Sequence, residues 1–211
     1  MRLSAVLALV ALAAAQAFAQ GAARAQALVQ EEPKQEAPAP VPEKFELSLE
    51  AGGGVMTASR TIPENLAEAK DLTKISALLG SAGLAETLAA PGPYTLFAPT
   101  DRAFESAPKE VARLLGEAAF DPQTPQAARR IAAYHVAPGR FTAQTLYDAV
   151  RAGGGETRLK TLDGEELSVR FTGVRLEVVD ARGARARIIT SDALQKNGVI
   201  HIIDAALSPK S

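Results

Sequence analysis

Two histidines, His135 and His201, are the side chains of this chain best suited to move a proton near neutral pH. Neither has a second histidine at helical or turn spacing, so a two-histidine metal site requires the fold to bring the pair together. His201 sits in an apolar run and reads as a neutral imidazole set into a strand, both nitrogens hydrogen-bonded and holding neighbouring loops. His135 precedes Val136-Ala137-Pro138-Gly139, a helix-end setting nearer the surface. Asp101 and Asp204 are the acids to inspect first, but a helix cap for Asp101 and a strand-end turn for Asp204 explain each without catalysis. Neither glycine triplet, Gly52–Gly54 or Gly153–Gly155, is followed by the Lys-Ser/Thr of a phosphate loop, and no Gly-x-Ser-x-Gly elbow is present. The absence of cysteine excludes a thiol nucleophile, thiolate metal sites, disulfides and a lipid-anchored cysteine. The expectation is a non-enzymatic protein with no catalytic residue, no metal and no cofactor.

The elements that must position these residues centre on Asn197–Leu207, NGVIHIIDAAL. Asn-Gly reads as a turn because both residues tolerate positive φ, and the short β-branched run after it fits a strand covered on both faces. Tyr94–Phe104, YTLFAPTDRAF, repeats that grammar. A β-type run from Tyr94 to Ala98 ends at Pro99, and Thr100 or Asp101 is placed to cap a short helix that buries Phe104. Tyr134-His135-Val136 lies between the two, where a helix hands over to a strand.

In this order and spacing, TLFAPTDRAF, YHVAPG and NGVIHIIDAAL resemble the signature blocks of the fasciclin (FAS1) domain family. The resemblance covers roughly Gly54 to Pro209. It implies an α+β fold, a β-sandwich or wedge of about seven strands with several helices packed along it.

Met1-Arg2, an apolar run from Leu3 to Ala15 and the small-x-small Ala17-Phe18-Ala19 read as a secretory signal peptide over residues 1–19. A second such site at Ala25-Gln26-Ala27 leaves the cut after Ala19 or Ala27, and an uncleaved anchor stays open. A secreted or periplasmic location follows. Residues 20–53, rich in Ala, Gln, Glu and Pro up to Lys44, read as a flexible linker, and residues 54–211 as one domain.

From Pro63 to Ala149 the period is helical. Asp71 can cap a helix carrying Leu72, Ile75, Leu78 and Leu79. Gly80 to Gly83 interrupts it, Lys109–Ala119 carries another apolar stripe, Thr124-Pro125 opens a helix with Ile131, and Thr142 caps one with Leu146 inward. After Gly155 the period becomes two. Leu159–Leu162 and Leu167–Phe171 read as a hairpin about a two-residue Asp163-Gly164 turn, followed by strands over Val174–Val179, Arg185–Ile189 and Val199–Ile203. Helices first and antiparallel strands later mean α+β, with the Tyr94 strand joining the late sheet.

The full sequence carries a formal net charge of −1, which offers no bulk field for nucleic acid. Arg182, Arg185 and Arg187, with Arg175 as a neighbour, read as the solvent face of an amphipathic strand.

The fasciclin resemblance implies an adhesion or interaction module binding a cell-surface or matrix protein or a polysaccharide, peripheral to the cell envelope, and acting as a monomer. Position by position, Tyr134 and His135 match the family's tyrosine-histidine motif linked to partner contact, with Ile131, Val136 and Leu146 as apolar flankers. Tyr134 also fits a core-edge tyrosine bonded through its hydroxyl. No Arg-Gly-Asp is present. The alternative is a carrier of an apolar small molecule, a lipid or pigment, in a pocket at the helix-sheet seam.

Overall fold

In the computed structural model, residues 47–107 and 125–210 are described, all within one compact unit. The leader, most of the linker and the helix expected over Lys109–Ala119 lie outside them. Strands β1 (Ser48–Ala51) and β2 (Gly54–Thr57) pair as a hairpin. Residues 48–51, which composition assigned to the linker, thus form a strand ahead of Gly54. Helices α1 (Ile62–Glu68), α2 (Thr73–Ser81) and α3 (Leu84–Ala89) follow, then strand β3 (Tyr94–Pro99) and helix α4 (Asp101–Glu105). Helix α5 (Pro125–Tyr134) runs directly into β4 (Val136–Pro138), and α6 (Ala143–Ala152) precedes β5 (Glu156–Lys160). Strands β6 (Glu166–Thr172), β7 (Arg175–Val179), β8 (Arg185–Gln195) and β9 (Gly198–Ile203) complete the order.

Seven of the described strands form one sheet in the order β4-β3-β9-β8-β7-β6-β5. The sheet nearly closes, because Leu162 after β5 donates its N–H to the carbonyl of Val136 in β4 at 2.8 Å. The fold is α+β, as expected, and β9 is interior to the sheet: it lies parallel to β3, Phe97 opposite His201, and antiparallel to β8.

Alternation along the central pair divides the core. Leu96, Ala98, Ile200 and Ile202 pack with α1, α2, α3 and α5 in one buried cluster. Phe97 and Ile203 face the second, with Tyr134, Leu146, Val150, Leu167, Val169 and Val178. Helices α1, α2, α3 and α5 on one face, and α6 with the curled strands on the other, leave β9 no wet side, which explains its near-continuous apolar run.

Local signals decide several element ends. Thr100 caps α4, its Oγ1 accepting the N–H of Ala103 at 3.1 Å, and Thr142 caps α6 by accepting from Thr145 at 3.2 Å. The helix expected to be capped by Asp71 is instead capped from α4. Asp101 accepts from the N–H of Lys74 at 2.9 Å and from the hydroxyl of Thr73 at 2.6 Å, while Asp71 accepts the N–H of Asp101 at its backbone carbonyl and donates its own N–H to the carbonyl of Gly52.

The hairpin expected to turn on two residues has five, 161–165, because pairing stops at Lys160 and Glu166. Its Thr161 hydroxyl and N–H both bond the carbonyl of Glu165. Strand β8 runs six residues beyond Ile189, since two register shifts and the left-handed Asp192 (φ 59°) break the alternation that marks a strand. Neither Asn197 nor Gly198 takes positive φ. Gly198 is needed for close approach, because a Cβ there would stand 2.1 Å from the carbonyl oxygen of Tyr94.

Candidate functional site

Tyr134 and His135 end α5 with both side chains fully buried, at 0 % exposure. The Tyr134 hydroxyl accepts the N–H of Ala181 at 2.8 Å and donates to the carbonyl of Glu166 at 3.3 Å. Burial pushes its pKa well above the usual phenol value. His135 donates from Nδ1 to the carbonyl of Ile131 at 2.9 Å and accepts the N–H of Leu207 at Nε2, 3.2 Å. Burial lowers its pKa to about 4, against the opposing hydrogen bond to Ile131, so the ring is neutral at physiological pH. The flankers Ile131, Val136 and Leu146 are buried too. The helix-end setting that suggested a surface histidine is covered by Leu207 and the chain after β9, so neither side chain of the motif presents a surface to a partner here.

His201 is likewise buried and neutral, stacked on Phe97 with ring centroids 5.6 Å apart. It donates from Nε2 to the carbonyl of Phe141 at 2.7 Å, and its Nδ1 accepts the N–H of Asp192 at 3.3 Å. Desolvation lowers its pKa, outweighing the Phe141 bond and the charge of Asp192. The two imidazoles therefore have opposite tautomers, each set by backbone partners. The acids are also structural: Asp101 caps α2, and Asp204 accepts from the backbone N–H and from Nε of Arg187, both at 2.7 Å. Among the described residues no cluster of three or more His, Asp or Glu could hold a metal ion.

What these buried groups hold in place is a surface groove. Asp192 accepts the N–H of Ala143 at 2.7 Å, so His201 and Asp192 together join the β8 bulge to the start of α6. Those two segments form one side of a cavity of about 590 Å³ where the second core cluster opens between α6 and the sheet. Tyr147 tilts against Phe171 at 4.9 Å between centroids, over Leu176 and Ile188. Val174 stands 97 % exposed at the tip of the β6–β7 turn, and Ile189 and Tyr147 are 51 % and 45 % exposed. Arg175 and Asp192, of opposite charge, line the same cavity.

Sequence reasoning missed this groove. Periodicity turns Leu146 inward and so leaves its neighbour Tyr147 outside, among Gln144 and Asp148. The available signal was an aromatic on a polar helix face together with an apolar residue directly after the turn glycine Gly173.

The order of elements and the sheet topology can be set beside known proteins. A family model described as the fasciclin domain matches residues 70–209. The chain belongs to the fasciclin family. Within it, protein sll1483 of Synechocystis is 30 % identical over 167 residues, covering 79 % of this chain and 83 % of that protein. Human periostin is 29 % identical over 155 residues, 74 % of this chain but 17 % of periostin, so the match spans a small part of that protein. The solved FAS1 domain pair of the insect cell adhesion molecule fasciclin I superposes with a TM-score of 0.62 at 17 % identity. The superposition covers 76 % of this chain and 62 % of that one, and shows a shared fasciclin fold.

Proposed function

We propose that this fasciclin-family chain is an exported, non-enzymatic adhesion or interaction module of the cell envelope. The signal-like start of the sequence supports export, and no helix among the described residues is long and apolar enough to cross a membrane. The single observation carrying the reading is the groove of Tyr147, Phe171, Val174 and Ile189. It is an exposed apolar surface built over a rigid scaffold, with charges of both signs beside it. An apolar centre with a polar rim is the anatomy of a protein–protein contact, and exposed apolar groups this close together mark interaction sites. The occupant is a partner protein that inserts an apolar side chain between Tyr147 and Val174. Tyr134 and His135 support that contact from inside, by fixing the strands and loops around the core. Fasciclin I, the relative of solved structure, is a cell adhesion molecule.

The test is a pull-down and surface-binding assay of the chain from Gln20 onward against envelope fractions and matrix proteins, with Tyr147→Ala and Val174→Asp alongside. Saturable binding weakened by both substitutions supports the reading. Binding untouched by both, or none at all, defeats it. The second reading, an apolar-ligand carrier, draws on the same seam of α6 against the sheet. The exposed apolar side chains of Val174, Ile189 and Tyr147 favour a macromolecular contact over an enclosed ligand.

A further inference from the structure

A separate pocket, sharing no lining residue with the groove, lies where α3 ends and β8 turns into β9. Its volume is about 420 Å³, within the range of small-molecule sites. Ala89, Ala90, Pro91 and Pro93 form an apolar wall, and Arg140 and Lys196 supply two cations.

The walls are rigidly held. Asn197 accepts the N–H of Ile62 at 3.1 Å and donates to the carbonyls of Leu88 and, at 3.0 Å, Ala90, while its own carbonyl accepts from Tyr94 at 3.0 Å. One buried residue thus ties the start of α1 and the end of α3 through its side chain, and β3 through its backbone carbonyl, around the pocket. Gly139 donates to the carbonyl of Pro93 at 2.9 Å, which positions the neighbouring Arg140.

The cations are not consumed by this frame. Arg140 uses only Nη2, donating to the carbonyls of Gln195 at 3.1 Å and Lys196 at 3.4 Å, which leaves Nη1 and Nε open. The Lys196 ammonium has no hydrogen bond or ion pair among the described residues. Its backbone N–H bonds the carbonyl of Arg60 at 2.8 Å. The nearby acid is Glu64, whose carboxylate feels the Lys196 charge but is already bonded to the N–H and hydroxyl of Thr61 at 2.7 and 2.8 Å. Nη1 and Nε each keep an N–H for a single charge-assisted bond to an oxyanion, and methyls and proline rings beside them suit the apolar face of a ring.

The geometry points to a binding site for a small ring-bearing carboxylate, with Arg140 and Lys196 holding the anion and Pro91 and Pro93 covering the ring. That chemistry has two sources, a uronic acid unit of an acidic polysaccharide and a free aromatic acid. Titration calorimetry and amide chemical-shift mapping of the chain with digalacturonate and with benzoate distinguish them. Saturable binding of either acid, with shifts at Gly92, Arg140 and Lys196, supports the site and names its source.

Lys196→Gln removes charge without touching the frame, and is expected to weaken binding about tenfold, with a similar loss for Arg140→Gln. Arg140→Lys, which keeps the charge but not the planar set of N–H donors, lies between. The neutral disaccharide galactobiose and the amide benzamide bind at least about tenfold more weakly than their acid counterparts, and added salt weakens the acids. Absence of saturable binding by both acids, or binding indifferent to Lys196→Gln and Arg140→Gln, overturns the site. Groove variants such as Tyr147→Ala leave it unchanged, so this result stands or falls apart from the adhesive reading.

Discussion

The N–H of Leu207 donates to Nε2 of His135 at 3.2 Å, tying the chain after the central strand to the end of α5 and fixing the imidazole as its Nδ1–H tautomer. Protonation at Nε2 replaces that acceptor with a second donor facing the N–H of Leu207, in a fully buried site. Between the ordinary histidine pKa of 6.5 and the folded value of about 4, the unfolded chain binds a proton that the folded chain refuses. Stability is therefore full above pH 6.5, falls as the pH drops toward 4, and gains nothing from this group on further acidification. The loss from His135 is about 3 kcal/mol, and His201, also lowered by burial, adds in the same direction. Urea unfolding at pH 7.5, 6, 5 and 4 checks this, and His135→Gln flattens the dependence. A midpoint constant between pH 7.5 and 4 contradicts it.

Tyr134→Phe removes the hydroxyl that serves Ala181 and Glu166 while keeping the ring that fills the second core cluster. The expected cost is about 1–2 kcal/mol in chemical denaturation, with the fold retained. Tyr134→Ala opens a cavity and costs about 4 kcal/mol. Because the side chain reaches no surface, Tyr134→Phe leaves partner affinity unchanged. A loss of affinity without a loss of stability would place the residue in the contact itself.

Val174→Asp and Tyr147→Ala act in the opposite sense. Val174 is almost fully exposed, so Val174→Asp changes stability by about 0.5 kcal/mol or less, and Tyr147→Ala, which loses the Phe171 ring contact, by about 1 kcal/mol, while partner binding weakens by about tenfold or more in each. Paired melting curves and binding isotherms separate these from core variants.

Gly198→Ala sets a methyl against the Tyr94 carbonyl at the point where β9 meets β3. Backbone cannot yield as a flexible side chain does, and a destabilisation of about 3 kcal/mol or more is expected. Gly83→Ala makes the comparison: nothing lies near its Cβ, and only its left-handed φ of 67° opposes the substitution, at about 1 kcal/mol. Equal costs at the two positions would refute the close-approach argument.

Asp101→Ala removes the cap of α2 and Thr100→Ala that of α4, each at about 1 kcal/mol. Hydrogen exchange locates the effects. Asp101→Ala loosens amides near Lys74, twenty-seven residues away in sequence, whereas Thr100→Ala loosens those near Ala103. Loosening confined to α4 in both variants would assign Asp101 to its own helix.

By itself the sequence determined what is local or periodic. The apolar runs at Tyr94–Ala98 and Val199–Ile203, the caps Thr100 and Thr142, the break between α2 and α3, and the change to period two after Gly155 are each set by residues a few positions apart. The structure carries them as expected. Tertiary structure alone decided what depends on distant segments meeting. Asp101 caps α2 in place of Asp71, and Gly198 answers a carbonyl about a hundred residues earlier and not a turn. Tyr134 and His135 are enclosed because the chain returns through Ala181 and Leu207. The groove exists because a core cluster, closed along most of its length, is left open between α6 and the ends of β6 and β7. Helical and strand periods report which way a side chain points from its own backbone. Whether anything waits there is a property of the packing.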